Sequence, residues 1–251
     1  MIKIIINADD LGVNKTVNDE IFELIALGRV SSATIIANGP AFDDAVQRAL
    51  LFPNVSFGVH LNVTEFRPLT RSTGLDVILD SEGNFFANKI RKVFINAKLR
   101  EAIYKEWYAQ IQKIRQSGLP ISHIDSHHHV HTIPSLFSVL KKIQLSCNVY
   151  RVRATLNIYR TAEMNSGIFH LAKKYIWNIA TYNIFRTQMT DGFTSLNEFI
   201  DAGNELSAKF KTIELMVHPG SEAYTEETEL LYKNWEDNLP FKIKLISYFD
   251  V

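Results

Sequence analysis

Five histidines, His123, His127, His128, His129 and His131, crowd into one short stretch of a 251-residue chain that holds eight in all. Other candidate reactive groups stand at the ends of apolar runs. Asp9 and Asp10 follow Ile2–Ile6, His60 closes Val55–Leu61, Asp125 and His127 close the run from Ile121, and His218 follows Ile213–Val217. Histidine and aspartate without cysteine suit a divalent cation of intermediate or hard character, such as Zn, Mn, Co or Mg. Two histidines and one aspartate fill three positions and leave others for water and substrate, as a catalytic metal site requires. Such an ion acidifies bound water or polarises a carbonyl oxygen. A second carboxylate can take the proton of that water, and a separate histidine can donate one to the leaving group. Neighbouring residues of an extended chain point in opposite directions. One of Asp9 and Asp10 is therefore expected to face the ion and the other to serve as base. The plainer readings are a turn at Asp9-Asp10, a structural role for His60, a turn at His218-Pro219-Gly220, and adventitious metal binding by an exposed histidine loop.

The elements that must position these groups follow from hydrophobic spacing. Ile2–Ile6, Ser32–Ala37, Val55–Leu61, Ile121–Ser126, Val149–Ala154 and Ile213–Val217 read as strands, several as continuous apolar runs of the kind buried on both faces. Val17, Ile21, Leu24 and Ile25 share one helix face, with Gly28 as the stop. Ala41–Leu51, Ser135–Leu145, Ile168 to about Phe185 and Leu196–Leu206 read as helices. A long helix aligns Leu99, Ile103, Trp107, Ile111 and Ile114. Thr64 to about Asn88 is irregular, and the tail from Glu226 is expected to be mixed, mainly helix. His170 falls inside a helical pattern and outside the site, and Tyr175, Trp177 and Tyr182 read as core or interface.

Alternation of strand and helix makes the class α/β with a largely parallel sheet, in one domain spanning residues 1–251. Asn7-Ala8-Asp9-Asp10-Leu11-Gly12 occupies the turn where a dinucleotide fold carries Gly-x-Gly-x-x-Gly, which disfavours that fold. In a β/α barrel the C-terminal strand ends surround one opening, where active sites sit. Residues far apart in sequence would converge there.

Composition narrows the function further. Twenty-seven basic and 27 acidic residues give zero formal net charge, against non-specific nucleic-acid binding and in keeping with a neutral substrate. A hydrophobic content of 46% is too high for disorder. Cys147 is the only cysteine, so no intramolecular disulfide forms. Lys3 interrupts the opening apolar run, no stretch reaches the ~18 apolar residues of a membrane span, and a cytoplasmic location is expected.

Four segments in order resemble the YdjC-like carbohydrate deacetylases, which include chitooligosaccharide deacetylases. They are Asn7-Ala8-Asp9-Asp10-Leu11-Gly12 with Val17-Asn18, Gly58-Val59-His60-Leu61-Asn62-Val63-Thr64, His123-Ile124-Asp125-Ser126-His127-His128-His129-Val130-His131, and Met216-Val217-His218-Pro219-Gly220. The resemblance implies a distorted, TIM-like β/α barrel related to the polysaccharide deacetylases. It implies hydrolysis of the N-acetyl group of a small acetylated sugar, with a divalent metal, commonly Mg. Metal ligands by motif match are Asp10, His60 and His127, with Asp9 as base and His218 as acid. Asp9 and Asp10 could exchange roles. A homodimer is the family-level expectation, with Tyr175–Phe185 as a candidate contact. Leu11 stands where many members carry Phe. Glu65-Phe66-Arg67-Pro68-Leu69 keeps the family's Pro-Leu without the Gly often seen before it, a departure that bears on substrate identity, and Ile158 to Thr190 does not align. The competing readings are a phosphoesterase-type metallohydrolase barrel, which needs more ligands near the first strand, and a sugar- or metal-binding protein without catalysis.

Overall fold

The computed structural model describes residues 1–87, 89–158, 168–184, 187–203, 206 and 209–251, with side chains of the helix that opens at 168 described from 172 onward. Ile2–Leu11 forms β1, whose Ile4, Ile5, Ile6 and Ala8 are buried. Helix α1 (Lys15–Ala26) starts where Asn14 accepts the Val17 amide at 2.8 Å and buries Val17, Ile21, Leu24 and Ile25. Gly28, at φ 71, ends it in the left-handed conformation open to glycine. Then follow β2 (Ser32–Ile35), α2 (Phe42–Ala49) and β3 (Ser56–Leu61). After the irregular segment comes α3 (Ala97–Gln116), which buries Leu99, Ile103, Trp107, Ile111 and Ile114. The chain continues through β4 (Ile124–Ser126), α4 (Phe137–Cys147), α5 (Ile168–Asn183), β5 (Gly192–Ser195), α6 (Leu196–Ala202), β6 (Thr212–Val217), α7 (Thr225–Leu231) and β7 (Ile243–Leu245).

All named strand pairs are parallel, in the order β4-β3-β2-β1-β6-β5, with β7 beside the start of β1. The C-terminal strand ends therefore share one rim. The expected strand Val149–Ala154 is reduced to single bridges: Val152 pairs with Ile124 of β4, and Arg151 with Gln188. Beyond it, the Asn157 amide donates to the Phe193 carbonyl of β5 at 3.2 Å. This irregular stretch completes the circuit between β4 and β5 and gives the expected distorted TIM-like barrel.

The tail opens in helix α7, as expected, and departs from helix at β7. The Ile2 amide donates to the Lys242 carbonyl at 3.1 Å and the Ile246 amide to the Ile4 carbonyl at 2.8 Å. Pairing with the open edge of β1 outweighs local helical preference. Helix α6 ends at Ala202 rather than Leu206, and β5 lies in a stretch that carried no strand signal. On α5 Trp177 is buried, whereas Tyr175 and Tyr182 are exposed and so are not core. The His170 side chain lies outside the described residues. Among the described residues no helix is long and apolar enough to cross a membrane.

Candidate functional site

The two adjacent aspartates reach the site through a bulge. β1 pairs Ala8 with Ala33 and then Leu11 with Ile35, so three steps of β1 match two of β2. Asp10 takes φ 68. The extra residue turns Asp10 inward beside Asp9, and strand alternation, the sequence expectation, is broken at this point. Asp10 Oδ1 lies 3.3 Å and Asp9 Oδ2 4.0 Å from the same His60 Nε2.

His60, on β3, is oriented from behind. Its Nδ1 lies 2.7 Å from Asp125 Oδ1 and 3.2 Å from Thr34 Oγ1, leaving Nε2 to face Asp10. His127 opens a short 3-10 segment after β4 and places Nδ1 2.9 Å from Asp10 Oδ1. Two imidazole nitrogens thus converge on Asp10 Oδ1, which completes no hydrogen bond among the described residues. One donor atom each of Asp10, His60 and His127 lies within 4.8 Å of the others. One carboxylate and two imidazoles, largely buried and crowded without completed hydrogen bonds, fit a divalent cation. Burial would lower the His60 pKa, but Asp125, Asp9 and Asp10 outweigh it and push it up to about 10. His127 rises to about 9 by the same contest, driven by Asp10 and Glu65. Both imidazoles respond to concentrated negative charge, the field that also attracts a cation.

The other clustered histidines are divided among separate tasks. His128 and His129 adopt consecutive left-handed conformations, φ 51 and 53. The turn sends His128 Nδ1 to Thr64 Oγ1 at 3.0 Å and sets His129 edge-on to Phe193. His131 Nδ1 bonds Ser126 Oγ at 2.5 Å. His123 lies in the interior, stacked at 3.6 Å on Tyr248 from the C-terminal tail.

Arg153 is the central residue that the sequence reading missed. Fully buried, it donates to Asp9 Oδ1 at 2.6 Å and Oδ2 at 2.7 Å, and to Glu214 Oε1 at 2.8 Å; its Nη1 also lies 2.8 Å from Asp125 Oδ2. Glu214 in turn accepts from the Tyr248 hydroxyl. Burial would raise the Asp9 pKa, yet Arg153 and His60 hold it well below the usual carboxylate range. Burial pushes Glu214 up to about 7.

His218 follows β6 and lines a cavity of about 470 Å³ together with Asp9 and Asp10. Its ring stacks on Tyr224 at 4.3 Å, and its Nδ1 has no hydrogen-bond partner among the described residues. Its amide donates to Glu227 Oε1 at 2.6 Å, which also lies 3.9 Å from Nδ1. Burial lowers the His218 pKa and raises that of Glu227 to about 7. All five predicted site residues therefore gather at the rim. Arg153, Glu227, Glu214 and Glu65 join them unannounced. Sequence signals for supporting groups were the strand-end position of Asp125 and the Glu65–Leu69 segment.

A family model described as YdjC-like protein matches residues 3–239. A carbohydrate deacetylase of Vibrio campbellii is 32% identical over 218 residues, 86% of this chain and 78% of its own. One of Halalkalibacterium halodurans is 31% identical over 241 residues, 90% and 86% of the two chains. A crystal structure from Enterococcus faecalis V583, of a protein named for cellobiose-phosphate cleavage, superposes with a TM-score of 0.76 at 23% identity, covering 99% of this chain and 98% of that one. That structure shares the fold.

Proposed function

The chain belongs to the YdjC-like family, and on that premise we propose that it is a metal-dependent carbohydrate deacetylase that removes the N-acetyl group of an amino sugar or oligosaccharide. The observation that carries the reading is the convergence of Asp10, His60 and His127 beside an Arg-clamped Asp9, with Asp9, Asp10 and His218 lining one cavity.

Asp10, His60 and His127 would hold the cation, Mg by family resemblance, with Zn, Mn or Co as alternatives this donor set accepts. When bound, it supplies polarisation of the acetyl carbonyl and acidification of water. We assign Asp10 to the ion because it lies within reach of both imidazoles, which leaves Asp9, the base by motif match, for proton transfer. The clamp keeps Asp9 ionised and fixed in place. Asp9 accepts one proton from the attacking water. His218 delivers one to the amide nitrogen as the C–N bond breaks, giving acetate and the free amino sugar.

The test is acetate release from N-acetylglucosamine oligomers with and without chelator, alongside calorimetric metal titration. Asp9→Asn is expected to bind the ion and lose turnover, whereas Asp10→Asn loses both. Full activity after chelation, or in His127→Ala, would overturn the reading. Two or three ions per chain would favour a phosphoesterase-type site instead.

A further inference from the structure

His127 uses its Nδ1 toward Asp10, so its other nitrogen needs an orienting partner. That nitrogen, Nε2, lies 3.5 Å from Glu65 Oε2. We propose that Glu65 is a positioning residue for His127: it takes the Nε2 proton, fixes the tautomer with a free Nδ1 lone pair, and sets the ring plane for metal binding. This rests on the assignment of Asp10, His60 and His127 to a cation. It gives the two imidazoles mirror-image support. His60 presents Nε2 with Nδ1 bonded to buried Asp125, and His127 presents Nδ1 with Nε2, which completes no hydrogen bond among the described residues, 3.5 Å from the Glu65 carboxylate on the solvent side.

The loop that carries Glu65 is built to stay in place. Asn62 Oδ1 accepts from the Thr64 and Glu65 amides at 2.9 and 3.2 Å, and Asn62 Nδ2 donates to the Glu65 carbonyl at 2.8 Å. Asn38 Nδ2 binds the Glu65 and Arg67 carbonyls at 3.1 and 3.0 Å. Farther along, the buried Glu106 carboxylate accepts from the Leu69 and Thr70 amides at 2.9 and 2.8 Å. This network holds Phe66 at φ 62, a conformation bulky residues avoid. Strain of this kind persists where the surroundings over-determine the backbone, and it clusters at functional sites. The restraints act on the backbone of Glu65 and leave its carboxylate for His127. Truncating that carboxylate therefore leaves the loop intact.

The experiment is calorimetric titration of the metal-free, full-length protein with Zn²⁺ and Co²⁺, comparing wild type, Glu65→Ala and Glu65→Gln. Glu65→Ala is expected to weaken binding about 10- to 100-fold, the usual effect of removing such a partner, with an unchanged Tm in the metal-free state. Glu65→Gln, whose amide oxygen still accepts the Nε2 proton, restores most of the affinity. Nitrogen-15 NMR of the Zn²⁺-loaded wild type is expected to show His127 protonated at Nε2 only, and Glu65→Ala to lose that preference. Unchanged affinity in Glu65→Ala, or no rescue by glutamine, overturns the proposal. So does a fall from two bound ions to one, which would make Glu65 a ligand of a second ion. None of these readouts uses turnover. A wild type that binds one ion without releasing acetate sinks the deacetylase reading and leaves this proposal standing. A wild type that binds no ion overturns both.

Discussion

Replacing Arg153 with methionine tests the electrostatic frame of the site most directly. The guanidinium is fully buried and lies within 2.6–2.8 Å of oxygens on Asp9, Asp125 and Glu214. Methionine fills similar space but supplies neither charge nor donors. Three buried carboxyl groups then lose their shared cation. Deleting one partner of a buried ion pair costs about 3–5 kcal/mol, because the remaining charge is left uncompensated. Against a net stability of about 5–15 kcal/mol, that is a large fraction. At about 2–4 °C per kcal/mol for a chain of this size, Tm falls by roughly 6–20 °C. The assay is urea unfolding at pH 7.5 of wild type, Arg153→Met and Arg153→Lys. Lysine carries a point charge and cannot span three carboxylates, so it is expected to recover less than half of the loss. A loss under about 1 kcal/mol in the methionine variant, or full recovery with lysine, would refute the claim that a forked cation organises these acids.

Asp125→Asn offers His60 and Arg153, both donors toward this side chain, only one oxygen between them. Metal affinity is expected to fall about 10- to 100-fold by calorimetry. Gly58→Ala would place a Cβ 2.5–2.7 Å from the His123 ring, which is stacked on Tyr248. The overpacking is expected to cost about 1–3 kcal/mol, read as a lower Tm, and an unchanged Tm would contradict this close fit. His123 and His131 are fully buried, and burial holds both well below the usual histidine pKa. The unfolded chain takes up these protons below pH ~6.5 while the folded one does not. The contribution of these two histidines is therefore complete above that pH and falls by about 1.4 kcal/mol per pH unit per histidine below it. Urea midpoints between pH 7.5 and 5 are expected to show a slope one proton shallower in His123→Phe.

The strands were legible because a parallel strand buried on both faces must be written as a near-continuous apolar run. Ile2–Ile6 and Val55–Leu61 announce β1 and β3 without reference to the rest of the chain. The reactive residues were legible for a related reason. Asp9, Asp10, His60, His127 and His218 break those runs at their C-terminal ends, and a barrel has one rim on which such ends meet. Weak elements were over-read, as at Val149–Ala154, or missed, as at β7. The Arg151–Ile158 stretch and β7 owe their form to unpaired backbone on neighbouring strands, not to their own side chains.

Sequence by itself thus determined which residues arrive at the rim. It could not say which partner each would find there. Asp9 and Arg153 are 144 residues apart, and only the closed circuit of the barrel brings the guanidinium beneath the carboxylate. The bulge that turns Asp10 inward depends on how β1 registers against β2. The setting of each imidazole depends on Asp125 from a neighbouring strand and on Glu65, 3.5 Å away on a strained loop. A side chain's chemical type is local, but its charge state, tautomer and aim are set by groups that only tertiary packing places within a few ångströms.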